Sequence, residues 1–317
     1  MSLTIGQMAA VSYPGVLAAK KTAANQWEES AFLREMERQG FIKHVSLGPT
    51  IEAPLDYQRN PGTAFLNADL QPTSLALTEV VTSASFTPAQ ISVPIVWSKM
   101  QEAQNPSEVQ KIALVKQLLS NGIDSHDDVL EQYLFYSSTN GFLGLGTHVP
   151  ASGQGTDGGI SAVTYTFWRN NANTYVDDTD IEAGMTTTWN QCAKGSGSKM
   201  MPTLVVASAA TQSLFEGTQQ ANQRWVDTEE LKAGFKILGF KTARFVFSQY
   251  GDNYSSGSGY MLNAKNFNLV VSKEFFRDRG DTQEIPNGNG FVTKIYSALQ
   301  TVTDNKSRLG IFYTSGA

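Results

Sequence analysis

Three histidines, one cysteine and 29 acidic residues are the raw material for chemistry in this 317-residue chain. His44, His126 and His148 stand far apart and form no metal-ligand spacing. His126 falls on the apolar face of a helix, where a core or interface histidine is the simpler account. The lone Cys192 excludes an intramolecular disulfide and a Cys-rich zinc site. There is no Gly-x-Ser-x-Gly elbow to supply a hydrolase nucleophile and no Gly-Lys-Ser/Thr phosphate loop. Gly153, Gly155 and Gly158 match the dinucleotide fingerprint as a string. They lie between a loop and the β-like run 160–168, however, and not between a strand and a helix. Asp177, Asp178 and Asp180 lack the central glycine and final Glu of a calcium loop, and read as acidic residues opening a helix. Asp127-Asp128 and Glu229-Glu230 are adjacent, which on a helix makes a solvated face. Trp168, Asn170, Asn171, Asn173 and Tyr175 combine the aromatic and amide groups of sugar sites, but a simple surface loop is the favoured account. The reading is of a protein that is not an enzyme and that needs no cofactor or metal.

The composition points the same way. Hydrophobic residues make up 41% of the chain, too much for a disordered protein, and charged residues only 17%, so the surface is polar and not ionic. A net charge of −5 argues against a protein that coats nucleic acid through a basic stripe. No apolar run is long enough to span a membrane. Leu17-Ala18-Ala19 has the small residues of a cleavage site, but Lys20 and Lys21 follow the apolar stretch where a signal peptide would place them before it.

The elements that could position functional groups are distinctive. Residues 1–15 read as an extended lead. From Thr22 to Gln39, Ala24, Trp27, Ala31 and Met36 share a face, and Gly40 ends that helix. Residues 44–98 hold six of the eleven prolines (Pro49, Pro54, Pro61, Pro72, Pro88, Pro94), so they cannot be central strands of a regular sheet. Yet Val81 and Ser83 alternate with Val80 and Thr82, and Ile91, Val93, Ile95 and Trp97 alternate with Gln90, Ser92, Pro94 and Val96. This predicts a long two-stranded excursion with a tip near Asn60-Pro61-Gly62, whose apolar face has no cover within its own molecule. From Pro106 to about Ser137, apolar or small residues recur every three or four at Val109, Ile112, Val115, Leu119, Ile123, His126, Leu130 and Tyr133. Asn105 is a plausible cap and Pro106 fits the first turn, which predicts one long helix continuing across Asn121-Gly122. Further helices are predicted near 178–193 and 209–222. Strands are predicted near 203–207, 243–249, 260–263, 268–272, 291–302 and 309–314. The mixture is α+β.

In this order of parts the sequence resembles the major capsid proteins of tailed bacteriophages, the Hong Kong ninety-seven-type capsid fold shared with encapsulin shells and herpesvirus capsids. The likeness rests on the segments 24–40, 44–97 and 106–137, on Thr203-Leu204-Val205-Val206-Ala207, on Gly259-Tyr260-Met261-Leu262-Asn263 and on the ending 307–313. It implies an N-terminal arm with an amphipathic helix (1–43) and an extended loop (44–98). A peripheral domain (99–169) follows, with spine helix 106–137, then an axial domain (170–275) and a return to the peripheral domain (276–317). It also implies a virion capsid protein that assembles with itself, through pentamers and hexamers, in the host cytoplasm. A portal and a separate scaffold protein would be its partners, the latter favoured by the initial Met. Packaged double-stranded DNA would be met by non-specific contact only, and no membrane is expected. The residues expected at subunit interfaces are Trp27, Pro61, Phe65, Val81, Ile91, Ile95, Trp97 and Tyr254. Some relatives lock their shells by an isopeptide bond from a loop lysine. This loop has none between Lys43 and Lys99, so no such inter-subunit bond is expected from it. An encapsulin-like compartment is the nearest alternative, and a sugar-binding or glycosidase domain a more distant one.

Overall fold

The computed structural model describes residues 30–58, 62–63, 65, 79–104, 108–137, 140–176, 180–193, 201–220, 238–251, 258–286 and 288–314. Helix α1 (Ala31–Gln39) is capped by the Ser30 hydroxyl, which accepts from Leu33 N at 3.1 Å, and is ended by Gly40 at φ 77°. Strands β1 (Ile42–Val45), β2 (Ile51–Asp56), β3 (Val81–Phe86) and β4 (Ala89–Ser98) follow. Next come a short helix α2 (Lys99–Gln104) and one unbroken 28-residue helix α3 (Glu108–Phe135). The predicted cap at Asn105-Pro106 lies outside the described residues. Beyond it lie α4 (Leu145–His148), β5 (Thr156–Asp157), β6 (Ile160–Ser161), β7 (Asn171–Tyr175), α5 (Ile181–Cys192), β8 (Leu204–Ala207) and α6 (Ala209–Gln220). The chain then adds β9 (Leu238–Phe240), β10 (Ala243–Phe247), β11 (Gly259–Leu262), β12 (Phe267–Ser272), β13 (Asp278–Arg279), β14 (Gln283–Glu284), β15 (Gly290–Thr303) and β16 (Gly310–Thr314).

Two six-stranded sheets organise these elements. In the first, β15 is the long central strand. On one edge it pairs antiparallel with β4, from Gly290↔Ser98 to Leu299↔Ala89, and on the other with β12, β13 and β14, while β1 adds parallel to β12. The second runs β7-β16-β11-β8-β10-β9. Its central strands β8 and β11 are buried throughout. Side chains of a strand point to opposite faces, so Leu204 and Val206 enter a core with Phe32, Phe135 and Leu269, while Val205 and Ala207 enter another with Met185, Trp189 and Phe245. The first of these cores joins the two sheets and seats α1, whose Phe32 ring stands 5.2 Å from Phe135 at the end of α3.

The sheets correct several sequence expectations. The run 160–168 is not a strand: only Ile160–Ser161 pairs, and Thr166–Trp168 forms a 3₁₀ turn. Conversely, the polar segment 171–175, expected as a loop, is an edge strand parallel to β16. Strand β12, placed before 275, belongs to the first sheet, and β16, placed in the return, belongs to the second. The pairings of β7 and β11 with β16 join segments remote in sequence, which hydrophobic periodicity does not encode.

Candidate assembly surface

Strands β2 and β3 form a separate two-stranded ribbon in register from Ile51↔Phe86 to Asp56↔Val81. Its inner residues Ala53, Leu55, Ala84 and Phe86 pack on Ile160, Ala162, Trp168, Val270 and Val302. Gly158 makes the close approach possible. It sits at φ +58°, its carbonyl accepts from Ser85 N at 3.0 Å, and a Cβ there would lie 2.8 Å from that of Ala84 and 2.9 Å from the Phe86 ring. Just beyond the ribbon's start, the buried Gln300 ties Thr87 O (2.6 Å) to Gly141 O (2.8 Å). The outer face presents Glu52, Pro54, Asp56, Val81, Ser83 and Ser85. Val81 is 63% exposed and Phe65, toward the tip, fully so.

Strand β4 behaves differently. The expected alternation is present, but its apolar face is covered at home. Ile95 and Trp97, 6% and 2% exposed, pack on Val115, Leu119 and Ile123 of α3 and on Ile295, and Val93 joins them. Ile91 is half-buried against the main core. The expectation of an uncovered face from His44 onward is therefore overturned for this strand: Ile95 and Trp97 are buried in the subunit's own core, and Ile91 is half-buried beside it. The reason is non-local: β4 pairs with β15, about two hundred residues away in the chain. Gly122 explains why α3 continues through it. A Cβ at that position would fall 2.7 Å from Ile95 Cδ1, so glycine lets helix and strand meet. Pro94 sits opposite Lys294, and among the described residues β4 pairs with β15 alone, the edge placement proline requires. Trp27, Pro61 and Tyr254 lie outside the described residues.

Two networks of buried polar groups are built around histidines. Arg277 reaches Asp127, whose Oδ1 also meets His126 Nδ1 at 3.0 Å, while His126 Nε2 meets Ser297 Oγ at 2.9 Å. His126 is thus a satisfied core histidine. In the second network Asp157 contacts Lys306, accepts from Trp168 Nε1 at 2.9 Å, and faces His148 Nδ1 at 2.6 Å. Burial pushes the Asp157 carboxyl up, but His148 and Lys306 outweigh it and hold it below its ordinary range. Burial pushes the Lys306 amine down, against the opposing pull of Asp157. Sequence reasoning missed this cluster because its members lie in four separate segments.

The sugar-like residues do not converge on a ligand site. Trp168 and Tyr175 are buried, and the amides are committed to structure: Asn171 donates to Ser307 O at 2.8 Å, Asn170 to Pro150 O at 3.0 Å and Asn173 to Thr188 Oγ1 at 3.1 Å. Trp168, Asn170 and Asn171 do line one cavity of about 370 Å³, together with Tyr57, Phe167 and Asp304. The Asp304 carboxyl, raised by burial, accepts from Asn266 at 2.7 Å.

No protein-family model and no curated protein sequence matches the chain. Solved structures do match by fold. The capsid asymmetric unit of Cyanophage A-1(L) aligns with a TM-score of 0.60 at 14% identity, over 87% of this chain and 91% of that one. The capsid of an empty GTA particle aligns at 0.60 and 8% identity, over 89% and 96%. The holo-SrpI encapsulin complex from Synechococcus elongatus PCC 7942 aligns at 0.56 and 7% identity, over 88% and 86%. The chain has the α+β capsid fold that the sequence resemblance implied.

Proposed function

We propose that this chain is a major capsid protein, a coat subunit that assembles with itself through pentamers and hexamers into an icosahedral shell around double-stranded DNA. The observation that carries the reading is the near end-to-end, two-way coverage of phage capsid subunits by this fold, 87% against 91% for the cyanophage protein. In that reading the first sheet with α3 is the peripheral domain and the second sheet with α5 and α6 the axial domain around which capsomers close. The β2–β3 ribbon is the extended loop, laid over a neighbouring subunit, and Phe65, Val81, Trp27, Pro61 and Tyr254 are the contact residues. Repetition multiplies many modest contacts into a stable lattice. The net charge of −5 suits an inner wall that releases DNA, since carboxylates and phosphates repel. The role is structural and not enzymatic, the site of action is the virion, and a scaffold protein and a portal are the expected partners.

Gel filtration and negative-stain microscopy of the purified protein test this directly. Closed particles or capsomers are expected, and a lone monomer at all concentrations overturns it. The likeness to an encapsulin keeps one second reading, a compartment for protein cargo. Particles from a native lysate that enclose nuclease-protected DNA favour the virion, and particles filled with a protein cargo favour the compartment.

A further inference from the structure

We infer that Lys306 and Asp157 join in an intramolecular amide bond, Nζ to Cγ, formed inside the folded subunit. Both side chains are wholly excluded from solvent. Lys306 Nζ lies against Asp157 Oδ1, but not at the angles of a hydrogen bond, and among the described residues it has no hydrogen-bond partner. A buried ammonium would carry three protons and find no aligned acceptor for them.

Proton bookkeeping points to the free amine. The Thr301 hydroxyl donates to Leu143 O, so it accepts at 2.9 Å from His148, whose Nε2 must carry the hydrogen. His148 Nδ1 then faces Asp157 Oδ2 at 2.6 Å, a contact that requires a proton between the two atoms. With that proton in place, the neutral form of the cluster, which is the reactive one, has the Lys306 amine unprotonated, reached against the pull of Asp157 toward the ammonium. The lowering of the amine by burial favours the unprotonated form. A free amine beside a carboxyl that shares a proton is the reactant pair for condensation.

The step balances with no added reagent. The Nζ lone pair attacks Cγ while Trp168 Nε1–H, at 2.9 Å, steadies the charge on Oδ1. One proton leaves Nζ, relayed by His148, and joins the shared proton on Oδ2, which departs as water. One N–C bond forms, one C–O bond breaks, and nothing is oxidised or reduced. The Trp168 ring lies 5.4 Å from Nζ, and Phe86 and Phe267 pack 5.8 and 5.7 Å from the His148 ring, so the apolar walls oppose hydrolysis of the product. The bond would tie the β5–β6 turn, on which the ribbon rests through Gly158, to the connection between β15 and β16. It lies within one subunit, so it is distinct from any bond between neighbours.

Mass spectrometry of the purified, denatured full-length chain tests this whether or not shells form, so its outcome is separable from the capsid reading. The mass is expected to fall one water below that of the sequence. Trypsin is expected to leave Lys306 uncleaved and yield a branched peptide joining residues 117–169 to 295–308. Lys306→Arg and Asp157→Ala should abolish the branch, and Asp157→Asn should form it with loss of ammonia. An unbranched digest of the wild-type protein, with cleavage after Lys306, overturns the inference, and because it uses the native chain it does not depend on any variant folding.

Discussion

Strand β4 and the β2–β3 ribbon carry the same kind of sequence, proline-studded and alternating, yet they are covered in different ways, β4 within a six-stranded sheet and the ribbon as a separate pair. In β4 the apolar face is sealed by α3 and the outward face shows Gln90, Ser92, Pro94 and Val96. In the ribbon the inner face is sealed through Ala53, Leu55, Ala84 and Phe86, while Val81 on the outer face and Phe65 toward the tip face solvent. Alternation therefore reports that a strand has two faces and leaves open whose atoms cover them. β4 meets a helix of its own chain. The ribbon packs its inner face on its own core, and in the proposed assembly its outer face is what a second copy would cover.

Breaking the sealed face should produce the largest effect. Ile95→Asp buries an unpaired carboxylate and is expected to destabilise the subunit by about 3–5 kcal/mol, read as a lowered denaturant midpoint or loss of soluble protein. A stable, soluble, non-assembling Ile95→Asp subunit would instead move β4 back among the interface strands. Gly158→Val places a β-branched residue at positive φ against Ala84 and Phe86, and should cost about 2–4 kcal/mol. Its loss should also raise amide exchange at Ser85, whose N–H bonds the Gly158 carbonyl. Gly122→Val drives a side chain into Ile95 and should cost about 1–3 kcal/mol, measured by thermal unfolding. Smallest of all in the isolated subunit is Val81→Asp, expected within about 0.5 kcal/mol of wild type. Light scattering should nonetheless show that it fails to assemble. Normal shells from Val81→Asp would remove that residue from the contact surface.

Much of the framework was legible in the residues. The three-to-four spacing from Val115 to Leu130 specified α3, Gly40 specified the end of α1, and the runs predicted at 203–207 and 268–272 fall on buried strands. The edge strand 171–175 was not legible, because Asn and Thr satisfy a ladder only once β16 is beside them. Of the residues expected at interfaces, Val81 and Phe65 are exposed in the subunit, while Ile95 and Trp97 are buried within it.

The sequence by itself determined the local periods, the turns and the absence of known catalytic motifs, because these depend on neighbours within a few residues. Only the tertiary structure decided which apolar face meets which, that β4 joins β15, and that Asp157, His148, Trp168 and Lys306 share one dry pocket. Such meetings depend on long-range packing and exclusion of water, and a linear pattern carries no record of either.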